Sequence, residues 1–496
     1  MTTPDGCHDE QPKKLVVIYS PPAMIGHLVS TVELGKLLAE HGLKVTIALG
    51  GQADDHKAAG STTANPLLEG VGAAHSDLSV HRLPQITRPS HVPAHDHVAQ
   101  AFELARASTT DLRDFLRSTS PAALLLDFFC GSAVDVGAEL GIPTYFFFTS
   151  GVAGLAFLLY QPVIHGQTTL NLRDLGGDLL HAPGLPPVPA DHLAEAVLDR
   201  NSLSSRHFRA LSEQLNNSQG VIVNSFRSLE PRATGAIVAG LCTPPGRRAP
   251  PLHCIGPLIK SEVGAKRHEC LVWLDAQPKA SVVFLCFGSL GRFSAEQTKH
   301  VARGLEMSGQ RFLWVVRRPP GDDDEQQPDP DLDWTGSALL PEGFLARTKD
   351  RGLVVRSWAP QREVLAHSAV GGFVTHCGWN SVLEAVVGGV PMLAWPMYAE
   401  QRMNKVFLVE EMRLAVAVEG YDKEMVKDEE VAEKVRWLME SDGGAELRQR
   451  TWAAMRQAKE ALCDGGESKI ALLELVRHWK MLAWTGEWRK GRTQTR

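Results

Sequence analysis

The 44 residues from Trp358 to Gln401 read WAPQREVLAHSAVGGFVTHCGWNSVLEAVVGGVPMLAWPMYAEQ, and they combine a buried strand, a polar loop and the start of a helix. Within this stretch GGFVT (371–375) is a short apolar strand, and HCGW (376–379) is a tight connection into a helix that begins near Asn380. A strand that ends in a glycine turn and opens a helix presents unpaired backbone N–H groups and the positive end of the helix dipole. The stretch therefore predicts an anion site that suits a phosphate.

Three side chains extend this predicted anion site. His376 and Ser381 can add hydrogen-bond donors to the phosphate, and Glu384 in the first helical turn can accept hydrogen bonds from a diol such as ribose. The alternative is an ordinary strand-turn-helix crossover, which an isolated short motif of this kind indicates more often than a nucleotide site. The length of the full pattern favours the nucleotide site.

The whole stretch resembles, almost position for position, the secondary-product box of plant UDP-dependent glycosyltransferases, which act on small molecules. The resemblance implies a UDP-sugar site in which Trp358 stacks on uracil. The other UDP contacts that it implies are Ala359, Gln361 beside the base and ribose, Glu384 on the ribose hydroxyls, Trp379, and His376, Asn380 and Ser381 on the diphosphate.

The same resemblance implies the residues that face the sugar. Trp379, Glu400 and Gln401 would contact its hydroxyls, although Glu400 stands where Asp is commoner in the family. Thr149 resembles a further sugar contact, and Ser289, after the apolar run SVVFLCF, resembles a second diphosphate contact. Either hydroxyl could instead belong to a simple turn.

Length and composition describe an ordinary globular protein. At 496 residues the chain exceeds the size of one hydrophobic core, so two domains are expected. Its residues are 44% hydrophobic and 22% charged, and its net charge of -6 gives no electrostatic reason to expect a nucleic acid or an anionic membrane as partner. The expected partners are a UDP-sugar and a small phenolic acceptor, and we expect a monomer.

Cysteine usage and the N-terminus predict a cytoplasmic protein. The eight cysteines are scattered without a CxxC pair, and the polar N-terminus lacks the apolar core of a signal peptide. Residues 141–165 contain no Asp, Glu, Lys or Arg, but Pro143 and Pro162 interrupt them. We interpret them as a buried strand followed by a core helix, and predict no integral membrane segment.

The order of apolar runs predicts an α/β fold of two doubly wound, Rossmann-like domains. LVVIY (15–19), the helix VELGKLLAEHG and the strand at 44–49 form a βαβ start, and the strand at 220–225 is expected to close the first domain. By resemblance the architecture is GT-B, with donor and acceptor in a central cleft. The predicted segments are a disordered N-terminus (1–14), an acceptor-binding domain (15–245), a linker (246–253), a UDP-sugar-binding domain (254–468), a C-terminal helix packing back on the first domain (469–486) and a tail (487–496).

His27 and Asp127 are the candidate catalytic pair. His27 lies in the loop after the first strand, where open α/β sheets place their ligands, and histidine suits general base catalysis near neutral pH. Its surroundings, GHLVSTVELGKLL, resemble the family's catalytic loop, with Ser30 where many members carry Pro. Asp127 ends the apolar strand ALLL, and either caps a helix or, as the resemblance implies, orients the imidazole. Direct displacement by the activated acceptor oxygen would invert the anomeric carbon.

No metal or other cofactor is expected. His91, His95 and His97 have metal-like spacing, but without a second ligand cluster we interpret them as solvated. The Asp322 to Asp324 run resembles the metal-binding motif of the other glycosyltransferase fold, yet it lies in an acidic low-complexity segment (321–333) and does not follow a strand.

Three functions are open to a chain with these residues, the first of which could also use another UDP-sugar or acceptor. An inverting UDP-glucose-dependent O-glucosyltransferase for flavonoids or chalcones is favoured by resemblance to the family's flavonoid-active branch. A non-catalytic nucleotide-sugar binder of the same fold is opposed by the intact His27 and Asp127. A dinucleotide oxidoreductase would need GxGxxG after the first strand, where the chain reads SPPAMIGH. The acceptor itself, whether flavonoid, terpenoid or hormone, is not encoded in any motif.

Overall fold

The computed structural model describes residues 12–21, 24–51, 68, 75–87, 89–93, 95–260, 267–319 and 339–482. Three predicted features lie outside these ranges: residues 1–11 of the N-terminus, the acidic segment with its Asp322 to Asp324 run, and the tail at 487–496.

The first domain is built on a parallel sheet of seven strands. In chain order the strands of this domain are β1 (Leu15–Ser20), β2 (Lys44–Leu49), β3 (Leu78–Arg82), β4 (Ala123–Asp127), β5 (Thr144–Phe148), β6 (Leu179–Leu180), β7 (Val188–Pro189), β8 (Val221–Val223) and β9 (Leu252–Cys254). The sheet has the order β3-β2-β1-β4-β5-β8-β9, and β6 pairs with β7 in a separate antiparallel ribbon.

Helices cover both faces of this sheet, which explains its apolar strands. Leu124 and Leu126 of β4 belong to one core cluster, whereas Ala123 and Leu125 belong to the cluster on the opposite face. A strand buried on both faces is apolar at every position. The helices of the domain are α1 (Ile25–Glu40), α2 (His97–Ala107), α3 (Thr109–Thr119), α4 (Val134–Leu140), α5 (Val152–Gln167), α6 (Glu195–Leu198), α7 (Leu203–Asn216) and α8 (Pro231–Val238).

The uncharged segment at 141–165 is confirmed as a strand followed by a helix. It forms β5, whose five residues are all buried, and most of α5, which contains Pro162. Among the residues that the structure describes, no helix is both long and apolar enough to cross a membrane.

The second domain repeats the parallel architecture with six strands. They are β10 (Val282–Cys286), β11 (Arg311–Val316), β12 (Gly352–Arg356), β13 (Val370–Thr375), β14 (Met392–Ala394) and β15 (Ala415–Ala417), in the order β12-β11-β10-β13-β14-β15. Its helices are α9 (Glu269–Asp275), α10 (Ala295–Ser308), α11 (Phe344–Thr348), α12 (Gln361–Ala366), α13 (Trp379–Gly388), α14 (Gln401–Val406), α15 (Asp428–Glu440) and α16 (Asp442–Leu462).

The end of the first sheet differs from the predicted boundary. β8 does not close the domain, because Leu252 to Cys254 form β9 and pair in parallel with Val221 to Val223. This strand spans only three residues, and the Pro- and Arg-rich stretch before it masks it in the sequence.

The last described helix, α17 (Glu467–Met481), belongs to the core of the first domain. Leu472, Leu475 and Val476 join the cluster that contains Val16 and Ile18 of β1. The Trp479 ring, fully buried, lies edge-on to Tyr145 with ring centroids 5.4 Å apart. The chain therefore crosses back after the second domain, and its last helix packs against the sheet of the first domain.

Candidate active site

His27 and Asp127 are brought together by the carboxyl ends of neighbouring strands. His27 is the third residue of α1, directly after β1, and Asp127 is the last residue of β4, which pairs with β1. His27 Nδ1 lies 2.8 Å from Asp127 Oδ2. The other carboxylate oxygen accepts a hydrogen bond of 2.9 Å from the backbone N–H of Phe129. Asp127 thus has both of the roles considered for it: it caps the short 3₁₀ helix Phe128–Ala133 and it orients the imidazole.

This contact determines which nitrogen of His27 can act as a base. A carboxylate only accepts hydrogen bonds, so Nδ1 carries the proton and Nε2 is left as the acceptor. Burial lowers the pKa of His27, but the ion pair and hydrogen bond with Asp127, and more weakly Glu400, outweigh it, and the pKa is raised above 6.5. The Phe128 and Phe129 rings lie 4.7 and 5.0 Å from the imidazole.

Thr149 joins the same pair from the end of β5. Its hydroxyl lies 3.3 Å from His27 Nδ1. Behind it, the buried carboxylate of Glu230 accepts hydrogen bonds of 2.8 Å from the N–H groups of Val152 and Ala153 and so caps α5. The loop that carries Thr149 is therefore held at the base of the site.

On the opposite side, His376 lies where β13 leads into α13. Its side chain is buried, and Nδ1 has no hydrogen-bond partner among the described residues. Burial, with a smaller contribution from the charge of Arg317, lowers the pKa of His376 to about 4. A Cβ built on Gly288 or Gly378 would lie 2.5 Å from its Nε2, so a larger residue at either position would displace the imidazole. The imidazole is neutral at physiological pH and has one N–H to donate to an anion.

Three of the predicted UDP contacts form one hydrogen-bonded group. Gln361 Nε2 donates to Ser381 Oγ at 2.8 Å and to Glu384 Oε2 at 2.6 Å. Trp358, with 53% of its surface exposed, stands edge-on to His268 with ring centroids 5.7 Å apart, while Ala359 beside it is buried. Ser289 is exposed, and its backbone carbonyl accepts a hydrogen bond of 2.7 Å from Arg317.

Trp379 and Gln401 have their side chains engaged within the protein. The Trp379 ring is buried against Gly151, and its indole N–H donates to the carbonyl of Asn224 at 2.7 Å, across the domain boundary. Gln401 Oε1 accepts from the N–H groups of Met397 and Tyr398 at 2.9 and 3.0 Å. A sugar contact by residue 379 would therefore come from its backbone, and one by Gln401 from its amide nitrogen.

Glu400 and Asn380 lie at the contact between the domains. Glu400 Oε1 is 3.4 Å from Asn404 Nδ2 and 3.5 Å from Ser150 Oγ, so its carboxylate is only loosely held. Asn380, the second residue of α13, makes hydrogen bonds of 3.0 Å with Gly26 and with Ser30 of α1. The first turn of α1, which carries His27, therefore contacts the start of α13, which carries part of the predicted diphosphate site.

Arg317 and Glu230 are two residues of the site that the sequence did not predict. Arg317 follows directly after β11, and a cation at the carboxyl end of a buried strand is a signal that could have identified it. Glu230 lies 78 residues from the N–H group of Val152 that it accepts from, and nothing in its local sequence indicates this capping role.

The candidate metal ligands of the first domain do not form a cluster. His91 pairs with Glu103 at 3.3 Å and is 55% exposed. Within the described ranges, no group of three His, Cys, Asp or Glu side chains is arranged to hold a metal ion.

Comparisons with known proteins place the chain in a family. Residues 251–442 match the family model for UDP-glucoronosyl and UDP-glucosyl transferase. The chain is 46% identical over 481 residues to UDP-glycosyltransferase 1 of Pueraria montana var. lobata (94% of this chain, 99% of the relative). It is 44% identical over 488 residues to phloretin 2'-O-glucosyltransferase of Malus domestica (93% and 99%).

Among solved structures, the chain is similar to UGT2 of Phytolacca americana complexed with UDP-2fluoro-glucose and pterostilbene. The TM-score is 0.82 at 35% identity, with 94% of this chain and 100% of that chain covered. This similarity confirms the GT-B architecture, two Rossmann-like domains about a central cleft. The chain belongs to the UDP-glycosyltransferase family, and it is a glycosyltransferase.

Proposed function

We propose that the protein transfers glucose from UDP-glucose to a hydroxyl group of a small phenolic acceptor, with inversion at the anomeric carbon. The observation that carries the proposal is the His27–Asp127 pair, which leaves Nε2 of His27 as a proton acceptor at the gap between the domains. A non-catalytic nucleotide-sugar binder would have no use for this arrangement.

The first step of the proposed reaction uses the first domain. His27 Nε2 removes the proton of the acceptor hydroxyl as its oxygen attacks the anomeric carbon of the sugar. Asp127 stabilises the imidazolium that forms, because its buried carboxylate already accepts the hydrogen bond from Nδ1. The bond between the anomeric carbon and the diphosphate oxygen breaks at the same time, so an α-linked donor gives a β-glycoside.

The leaving diphosphate is stabilised from the second domain. The first turn of α13 offers backbone N–H groups and the positive end of its dipole. His376 adds a neutral N–H donor, and Ser381 adds a hydroxyl oriented by Gln361. We propose that these groups, with Asn380 and Ser289, replace a metal ion, and that the enzyme requires none.

The choice of a phenolic acceptor is supported by the surroundings of His27 and by the relatives. Phe128 and Phe129 flank the imidazole, and the partly exposed Phe128 offers a flat apolar surface to an aromatic ring, while Phe129 is buried in the core. The Malus domestica relative is named for phloretin, and the Phytolacca americana structure contains pterostilbene; both compounds are phenols. A flavonoid or chalcone is the acceptor class that we propose.

Glucose as the donor sugar is supported by the residues beside the diphosphate site. The carboxylate of Glu400 is available to accept hydrogen bonds from sugar hydroxyls, and it would repel the carboxylate of UDP-glucuronate. We also propose a cytoplasmic monomer, for which the seven free cysteines among the described residues suit a reducing compartment.

The experiment is a product assay with purified protein, UDP-glucose and a panel of flavonoids, chalcones and simpler phenols. We expect glucosides whose anomeric proton coupling in NMR spectra identifies a β-linkage. Transfer to no phenol in the panel, or an α-glycoside as product, would contradict the proposal. UDP-galactose and UDP-glucuronate are the matched donor controls, and kcat/KM is expected to fall about tenfold to a hundredfold for galactose.

A further inference from the structure

The contact between α1 and α13 forms a closed hydrogen-bonded unit of three residues. Asn380 Nδ2 lies 3.0 Å from the carbonyl oxygen of Gly26, and Ser30 Oγ lies 3.0 Å from Asn380 Oδ1. A backbone carbonyl only accepts hydrogen bonds, so the nitrogen of the amide faces Gly26 and its oxygen faces the Ser30 hydroxyl. Each end of the Asn380 side chain is therefore occupied by a group of the first domain.

These contacts enclose His27 on a single helical turn. Gly26 precedes His27 and Ser30 follows it by three residues, so the two contacts lie about one helical turn apart on α1, one on each side of His27. At the N-cap, Met24 makes no capping hydrogen bond, and no acidic residue lies in the first turn. Within the first domain this part of α1 is held by the contacts of His27 with Asp127 and Thr149, and Ser30 Oγ also lies 3.4 Å from the carbonyl oxygen of Gly26. Among the hydrogen bonds described for these residues, those with Asn380 reach the second domain.

Asn380 also belongs to the predicted diphosphate site. Its amide has two N–H groups, of which one is directed to Gly26, and its neighbour Ser381 is bonded to Gln361 in the donor site. One side chain can therefore contact the leaving group while it holds the turn that carries the base.

We propose that Ser30 and Asn380 act as an interdomain clamp that sets the position of His27 relative to the sugar donor. In this proposal Ser30 is a positioning residue, because its hydroxyl bonds Asn380 and the carbonyl of Gly26 and reaches the base only through them. The inference rests on the proposed function, in which His27 is the base. A small displacement of a reacting group has a large effect on rate, because the chemical step requires reacting atoms in near-attack geometry.

The test is a double-mutant cycle of Ser30→Ala, Asn380→Ala and the double variant, measured as kcat, KM and UDP affinity by calorimetry. Loss of one hydrogen bond should lower kcat of Ser30→Ala about fivefold to tenfold with UDP affinity within about twofold. The double variant should be no slower than Asn380→Ala, because both changes break the same unit. Ser212→Ala is the matched control: Ser212 is also a buried serine on a helix of the first domain, and it bonds Leu159.

A second readout separates positioning from a merely structural effect. Two phenols of matched shape that the wild-type enzyme accepts are compared, one weakly acidic and one acidic, with para-methoxyphenol and para-nitrophenol as the first pair. If Ser30 acts through the base, Ser30→Ala and His27→Ala should both lose more rate with the weakly acidic phenol.

Two results would overturn the clamp. The first is a double variant whose loss of kcat equals the product of the losses in Ser30→Ala and Asn380→Ala. The second is a loss of rate in Ser30→Ala that is equal for both phenols. If Ser30→Ala has the wild-type rate while His27→Ala is inactive, the clamp is overturned and the proposed function stands. Full activity of His27→Ala would instead overturn the proposed function.

Discussion

His27 and His376 are both largely buried, lie on opposite sides of the same gap, and differ in the charge beside them. His27 has a carboxylate at 2.8 Å, and its pKa is raised. His376 has no carboxylate partner among the described residues; it lies near Arg317, and burial lowers its pKa to about 4. The same side chain therefore becomes a proton acceptor on one side and, on the other, a donor that is neutral at physiological pH; burial lowers the pKa of both, and the neighbouring carboxylate reverses this shift for His27.

Removing the base should have the largest effect. We expect His27→Ala to lower kcat about 10²- to 10⁴-fold while UDP affinity stays nearly unchanged, because base and diphosphate site lie in different domains. Steady-state kinetics and calorimetry with UDP measure the two quantities. His81→Ala, a histidine of the same domain that stacks on Phe115, is the control and should keep its activity. Turnover above half of the wild-type value with a weakly acidic acceptor would contradict the assignment.

Removing the carboxylate charge beside His27 should reduce the difference between the pKa values of His27 and His376. Asp127→Asn is expected to lower kcat by about one to two orders of magnitude. A base must be unprotonated to act, so activity is lost as pH falls through its pKa. Because Asp127 raises that pKa, the acid limb of the kcat/KM profile should move to lower pH in the variant. If the acid limb of the profile does not move, Asp127 only caps the 3₁₀ helix and does not set the pKa of His27.

Removing His376, the neutral donor, should weaken UDP binding without changing His27, the base. We expect His376→Ala to weaken UDP binding by about 1.5 kcal/mol, or about tenfold, the value of a hydrogen bond to a charged group. His367→Ala, which loses contacts with Asp275 and with the backbone N–H of Ala369, is the matched control in the same domain. Equal UDP affinity of wild type and His376→Ala would remove His376 from the diphosphate site.

The same neutral histidine makes a prediction about stability. A histidine whose pKa in the folded state is depressed to about 4 binds fewer protons than in the unfolded chain between pH 4 and 6.5, so it destabilises the fold as pH falls through that range. The drop in Tm between pH 7.5 and 5.5 should be smaller in His376→Ala than in wild type. A drop of the same size in both would show that His376 is protonated in the folded protein.

The smallest expected effect is that of a chelator. Treatment with EDTA should leave kcat unchanged, because helix N–H groups and side-chain donors stabilise the diphosphate in this account. Loss of activity that Mn²⁺ restores would require a metal ligand set, and the Asp322 to Asp324 run would be the first candidate.

The two sides of the gap also differ in how far the sequence predicts them. The centre of the donor side is one strand, turn and helix from Val370 to Gly388, so spacing along the chain predicts which of its side chains lie together. The base side joins His27 and Asp127 across 100 residues. That contact is predicted by the family resemblance and by the rule that parallel strands share a carboxyl edge, and not by spacing. The contact of Ser30 with Asn380, 350 residues apart, depends on how the domains face each other, and no local pattern contains it.

The central claim is that His27 and His376 have opposite protonation behaviour. The most direct test is an NMR titration of the protein with ¹⁵N-labelled histidines. Spectra of His27→Ala and His376→Ala assign the two histidine signals. The account predicts that His27 titrates with a pKa above 6.5 and carries its proton on Nδ1 when neutral, and that His376 stays neutral at pH 5. A His376 that becomes protonated above pH 6, or a His27 that remains neutral at pH 5, would contradict it.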